Sequence, residues 1–101
     1  VTVNAQTGTA YTPVIGDASQ LVTLNNSSAI TLTVPTNTSV AYPVGTHIDI
    51  AQLGAGQVTV VGDTGVTVNG TPGLKLSAQY AGARLTKLAT NTWVITGTLA
   101  A

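Results

Sequence analysis

Side-chain character alternates with a period of two along almost the whole chain, and that alternation restricts what the chain can fold into. In the stretch from Ala29 to Pro35, Ile30, Leu32 and Val34 point one way and Thr31 and Thr33 the other, the pattern of a strand with one buried face. The same pattern runs through residues 21–25, 47–53, 57–61, 65–69, 74–79, 83–89 and 93–99. Thr, Val and Ile supply a β-branched population suited to a pleated surface, and helix is nearly excluded. Turn signals separate the runs: Gly16-Asp17, Asn25 to Ser28, Pro43 to Gly45, Gly54 to Gly56, Gly62 to Gly65, Asn69-Gly70, Pro72-Gly73 and Thr90 to Thr92. Short strands at this spacing predict an all-β, antiparallel β-sandwich, jelly-roll-like in character. The similar segments 57–61 and 65–69 read as the arms of one hairpin and not as units of a solenoid, because no fixed period recurs elsewhere.

The 101 residues form one β domain, with residues 1–8 read as an extended arm or linker, and are enough to bury a continuous core without metal or disulfides. The expected core comprises Leu21, Leu24, Ile30, Leu32, Val34, Ile48, Ile50, Val58, Val60, Val66, Val68, Leu74, Leu76, Leu85, Leu88, Trp93 and Ile95. Pro35 and Pro43 bracket a loop expected to cross from one sheet to the other. Charged residues make up 6% of the chain, against roughly 25% in an ordinary soluble protein. Three acidic and three basic side chains balance to zero, so the basic footprint of a nucleic-acid or anionic-membrane partner is missing, and neither is expected. The sequence has no apolar run of spanning length, no secretory pattern at its first residues and no cysteine; opening on Val1, it reads as a piece of something longer. So few charges, with apolar residues on both faces of segments such as 58–61, predict exposed patches that copies of the chain would cover. A homo-oligomer, most plausibly cyclic, follows. Lys75, Arg84 and Lys87 are read as edge protection or as interface pairs to Asp17, Asp49 and Asp63.

Asp63-Thr64-Gly65 has the form of the catalytic loop of aspartic proteases, some of which assemble their site from two small subunits. Gly62 before it, Val66 after it and its place past mid-chain depart from that pattern, and a turn explains it without chemistry. Gly54-Ala55-Gly56 leads into a strand where a dinucleotide fingerprint needs a helix, so it too reads as a turn. His47 and Asp49 share a strand face but lack the further ligands a metal site needs. One His and no nucleophile elbow leave no serine triad. Asn25, Asn26, Asn37 and Asn69 stand in glycosylation sequons of the kind that arise by chance in such a composition. Thr-x-Thr pairs at 31/33, 36/38, 90/92 and 96/98 suggest an ice-binding array, which would need a regular repeat to hold its ranks in register. No catalytic, cofactor-binding or metal-binding residue is assigned. Carbohydrate sites on β scaffolds use exposed aromatic platforms, for which the candidates are Tyr11, Tyr42, Tyr80 and Trp93, each of which also reads as core or strand-end filler.

Residues 9–99 resemble a segment that recurs in bacteriophage structural proteins, often at the C-terminal end of tail-fibre or other appendage proteins. The most specific pieces are the run from Val34 to Gly45, the run from Gly54 to Val60, and Thr90-Asn91 with Trp93 and Gly97; Pro13 and Thr98 depart from the expected aliphatic and acidic residues. The resemblance implies a virion component and, by association with fibres, a homotrimer; it carries no catalytic residue. Two readings result. In one, the chain is a non-enzymatic module that trimerises, stabilises a fibre or decorates a capsid, and touches its own copies and neighbouring virion proteins. In the other, it is a fibre tip that binds a host-surface glycan or protein. Tyr42, Asn37 and Thr38 are the candidate receptor contacts, and Trp93, Tyr80 and Arg84 the candidate interface residues. A protease-like hydrolase built on Asp63 stands third.

Overall fold

The computed structural model describes residues 2–101. Eleven strands follow in chain order: β1 (Val3–Gln6), β2 (Ala10–Tyr11), β3 (Leu21–Leu24), β4 (Ile30–Val34), β5 (His47–Gln52), β6 (Val58–Gly62), β7 (Thr67–Asn69), β8 (Lys75–Leu76), β9 (Gly82–Ala89), β10 (Thr92–Gly97) and β11 (Leu99–Ala100). They form a six-stranded sheet, β1-β3-β5-β9-β10-β7, and a five-stranded sheet, β11-β8-β6-β4-β2, on either side of one core. The only helical piece among the described residues is a 3-10 turn, Ile15–Asp17.

The sheets are mixed, which corrects the antiparallel expectation. The ladders β1/β3, β3/β5, β2/β4, β4/β6 and β7/β10 are parallel, while β9/β10, β5/β9, β8/β11 and β6/β8 are antiparallel. The reason lies in the connections. From β1 to β6 the chain changes sheet at every turn, so it returns to a given sheet only after a full circuit and then runs in its earlier direction. Three coils are wound in this way, β1–β2, β3–β4 and β5–β6. The pair 57–61 and 65–69 is therefore not a hairpin, since β6 and β7 lie in different sheets. Residue-by-residue alternation is the same for a strand in a parallel or an antiparallel ladder, and the coils differ in length, so no fixed period announces them. From Leu21 to its partner Asp49 is 49 − 21 = 28 residues, whereas from Val3 to Leu21 is 21 − 3 = 18.

Registers place the apolar rows inward. Val22 pairs with Ile50, Ile48 with Leu85, Ile95 with Leu85, and Trp93 with both Lys87 and Val68 in the larger sheet; Ile30 pairs with Val58 and Leu32 with Val60 in the smaller. Nearly all the expected core residues are buried or packed against the core, joined by Val22 and Tyr42. Leu21 and Leu88 are the exceptions: Leu21 is half-buried at the start of β3 and outside the core cluster, and Leu88 is 53% exposed because its parity on β9 is opposite to that of Leu85.

The sheet-to-sheet crossings between β1 and β7 fall at two ends of the strands. At one end, here called the corner end, tight turns at 7–9, 25–29 and 53–57 stack on one another, beside the turn 77–81. At the other, the loop end, the crossings are long: 12–20 and 35–46, with the turn 63–66 and the β9–β10 turn beside them. The expected crossing between Pro35 and Pro43 is one of these.

Candidate functional site

The loop end is built around two buried ionisable side chains. Asp17, 2% exposed, accepts hydrogen bonds from Asn4 Nδ2 (2.9 Å), Tyr11 Oη (2.5 Å) and the Val14 backbone N–H (3.0 Å). Gln6 Nε2 donates to Asn4 Oδ1 at 2.8 Å, so the inward row of β1, Asn4 and Gln6, is a polar layer that closes the core at that edge. Burial and the Asp17 carboxylate beside it push the Tyr11 hydroxyl up to about 12. Tyr42 donates its hydroxyl to the Val14 carbonyl at 2.5 Å, and desolvation raises its pKa further still. Loop 12–20 is thereby tied to loop 35–46.

Lys87 holds the other half. Alternation puts Ala83, Leu85 and Lys87 on the inner face of β9, and the ammonium, in a residue 2% exposed, donates to Asn37 Oδ1 at 2.6 Å and the Tyr42 carbonyl at 2.7 Å. Two neutral oxygens accept from it, and among the described residues no carboxylate pairs with it. Backbone bonds from Gly45 to Lys87 O (2.8 Å) and from Lys87 to Thr46 O (2.9 Å) lock the same segment, and the Asn37 N–H donates to Asn91 Oδ1 at 2.9 Å. The Tyr42 and Trp93 rings meet edge to face, centroids 5.6 Å apart, which closes the core beneath the loop.

These contacts redistribute the residues singled out in the sequence. Tyr42, 2% exposed, is a core residue with almost no surface for a receptor; Asn37 is half-buried and engaged with Lys87, and Thr38 alone of the three is exposed. Trp93, 1% exposed, is the core filler its apolar bulk suggested, with almost no surface of its own. Arg84 sits on the outer face of the larger sheet and pairs within the chain, Nε to Asp49 Oδ1 at 2.7 Å and an Nη nitrogen to Oδ2 at 3.2 Å, which holds the Asp49 carboxyl below its usual range. Tyr80 is at the corner end, away from Tyr42, and is 75% exposed. Lys87 takes neither of the roles expected of it: it is internal. Its parity with Leu85 was the readable signal. Nothing in the local sequence marked Asp17 as buried.

Asp63 is exposed in the turn 63–66, where its carboxylate accepts the Thr64 N–H at 2.8 Å and its carbonyl accepts the Val66 N–H. That is a closed turn, with no second carboxylate beside it. His47 Nδ1 is buried without a partner, and among the described residues no group of three ligating side chains converges on one point and no pocket opens. Gly54 and Gly56 have a steric job. A Cβ at Gly54 would stand 2.6 Å from the Asn26 carbonyl oxygen, and one at Gly56 would overlap the Ser28 carbonyl, so the third coil lies on the second only through glycine.

The exposed aliphatic side chains gather at the loop end. Val14, Ile15, Val44 and Leu88 are 53–65% exposed. Val44 and Leu88 flank the Gly45–Lys87 backbone bond, and Val14 is joined to loop 35–46 through the Tyr42 hydroxyl. Asp17 and Lys87 being internal, Asp63 on the neighbouring turn is the only exposed carboxylate or cationic side chain among the loops of this end. No protein-family model matches the chain, and no curated protein is significantly similar to it.

Proposed function

We propose that this domain is a non-enzymatic structural module of a phage virion, a homotrimer that stabilises a tail fibre or a capsid appendage by binding its own copies and neighbouring virion proteins. The observation that carries the reading is the rim of Val14, Ile15, Val44 and Leu88, apolar and nearly free of charge. Apolar side chains exposed at one end of a small domain favour association, and little charge has to be desolvated when two such ends meet. The resemblance of residues 9–99 to phage appendage proteins supports this setting and the three-fold order.

Light scattering across a dilution series tests it. The expected result is a trimer mass that persists on dilution, lost when Val44→Asp and Leu88→Asp are combined while the circular-dichroism spectrum stays that of the parent. A monomer at every concentration, or a trimer indifferent to both substitutions, overturns the reading. A host-receptor tip remains the second reading, favoured by a single observation, the exposed ring of Tyr80.

A further inference from the structure

Tyr80 is an anomaly. It is the most exposed large apolar side chain among the described residues, at 75%, and its backbone sits at φ +68°, a region that L-residues enter at a cost. The turn that holds it there is bonded on every side. Tyr80 N–H donates to Gln52 O at 2.6 Å, Ala81 N–H to Ala78 O at 3.1 Å, Gln79 Nε2 to Leu53 O at 3.0 Å and Ser77 N–H to Thr98 O at 3.1 Å. Gln52 is itself buried, its amide bridging Gly54 O (3.2 Å) and Val58 N–H (3.0 Å). An aromatic ring is thus held out into water on a rigid platform by a conformation that core packing does not require.

The surroundings of that ring are all of one chemistry. Leu53 N–H donates to Leu24 O, Gly56 N–H to Asn26 O, Asn25 N–H to Gln6 O, and Asn26 Nδ2 to Thr7 O, so the turns of successive coils lie side by side from Gln79 and Tyr80 across to Thr7. Four strands at the usual spacing make this row about 14 Å long. None of its turns, 7–9, 25–29, 53–57 and 77–81, contains a charged residue. The Asn25 amide and the Thr7 and Ser28 hydroxyls are exposed and make no side-chain hydrogen bond among the described residues.

We infer that the corner end is a binding face for a neutral oligosaccharide. One sugar ring stacks its C–H face on Tyr80, and the neighbouring units hydrogen-bond the amide and hydroxyl row that runs from Gln79 through Asn25 and Ser28 to Thr7. An exposed aromatic supplies apolar contact and orientation, and uncharged amides and hydroxyls match sugar hydroxyls in both donor and acceptor roles. The face is shallow, so it reads a chain along its length and does not engulf a single residue. It rests on the receptor-tip reading but lies at the opposite end of the strands from the rim, so it holds for a trimer or a monomer alike.

The test is a titration of the isotopically labelled full chain with maltohexaose, cellohexaose, chitohexaose and isomaltohexaose in turn, with hexagalacturonate as the acidic comparison, followed by amide chemical shifts. At least one neutral hexasaccharide is expected to shift residues of 25–28, 53–57 and 78–81 saturably. Tyr80→Ala should weaken that binding about tenfold or more without lowering Tm. Shifts confined to the loop end, undiminished binding by Tyr80→Ala, preference for the acidic sugar, or no response to any neutral sugar overturns the inference. A protein receptor would show itself as cell adsorption lost with Tyr80→Ala in the last of these cases, which would sink the sugar and spare the receptor-tip reading.

Discussion

The two ends of the strands solve the same problem, reversing the chain between sheets, by opposite means. The corner end uses three short turns, the second and third stacked so closely that only glycine fits at 54 and 56; the loop end uses long crossings propped from below by Asp17, Tyr42 and Lys87. One is fixed by backbone proximity and the other by buried polar anchors, and the two should fail differently. The sharpest test is glycine substitution. Gly56→Ala drives a methyl into the Ser28 carbonyl and lies 2.7 Å from the Asn26 oxygen, both of them backbone atoms that cannot swing aside. It is expected to cost about 3 kcal/mol or more, read as loss of the urea midpoint. Gly45→Ala at the loop end meets nothing within 4 Å and carries only the penalty of its φ of +92°, about 1–2 kcal/mol. Equal losses at the two positions would mean that the corners are not close-stacked, and the distinction between the ends would fall.

The loop end breaks at its anchor. Lys87→Ala removes a buried side chain with both of its hydrogen bonds, and strands the Tyr42 carbonyl; the expected loss is about 3 kcal/mol. Lys87→Met keeps most of the volume and removes the cost of burying an ammonium, so it should lose only about 1 kcal/mol while amide exchange in 35–46 speeds up. A Met variant as unstable as the Ala variant would show that the charge itself, and not the filled space, holds the loop.

The difference between the ends also sets what was legible in the sequence. Alternation identifies β4, β5, β6 and β10 and most of the core, since a buried face imposes period two whatever the neighbouring strand's direction. It says nothing about which strand is the neighbour, and so a coil of two sheets reads as a meander. The glycines of 54–56 are visible as a turn, but the turn's partner, 25–28, is far away in the chain and contributes mainly backbone atoms to the clash, with Asn25 Oδ1 beside them. Tyr42 misleads because the Pro-bracketed loop around it is exposed at Ala41, Pro43 and Val44 while its own ring turns inward onto Trp93. Tyr80 was legible as an aromatic at a strand end; its left-handed backbone, which marks it out, was not.

Alkaline titration should weaken the loop end selectively. Tyr11 is held protonated up to about 12, above its ordinary value of 10.0. The folded state therefore keeps a proton that the unfolded state releases first. The associated stability is complete below about pH 10 and is lost as pH rises towards 12, with the raised Tyr42 adding in the same direction. Tyr11→Phe should flatten part of that fall, at the cost of the bond to Asp17. A parent protein whose urea midpoint is level from pH 9 to 11.5 would contradict the tight Tyr11–Asp17 pairing.

The smallest effect bears on the corner end, and it has the opposite sign. At φ +68° a tyrosine is strained by about 1–2 kcal/mol relative to glycine, whereas glycine gives back roughly 0.5–1 kcal/mol through the greater freedom of its unfolded chain. The ring is 75% exposed, so its removal forfeits little burial. Tyr80→Gly should therefore raise stability slightly, by about 0.5 kcal/mol, a Tm gain of roughly 2–4 °C in a domain of this size. A loss of Tm beyond that magnitude would mean that the ring packs on the corner and is there for the fold. A gain leaves the strained, solvent-exposed tyrosine without a structural reason, since a more stable residue was open to that position. A gain in Tm together with a loss of sugar binding would separate a role outside the chain from folding, because the glycine variant then moves the two readouts in opposite directions.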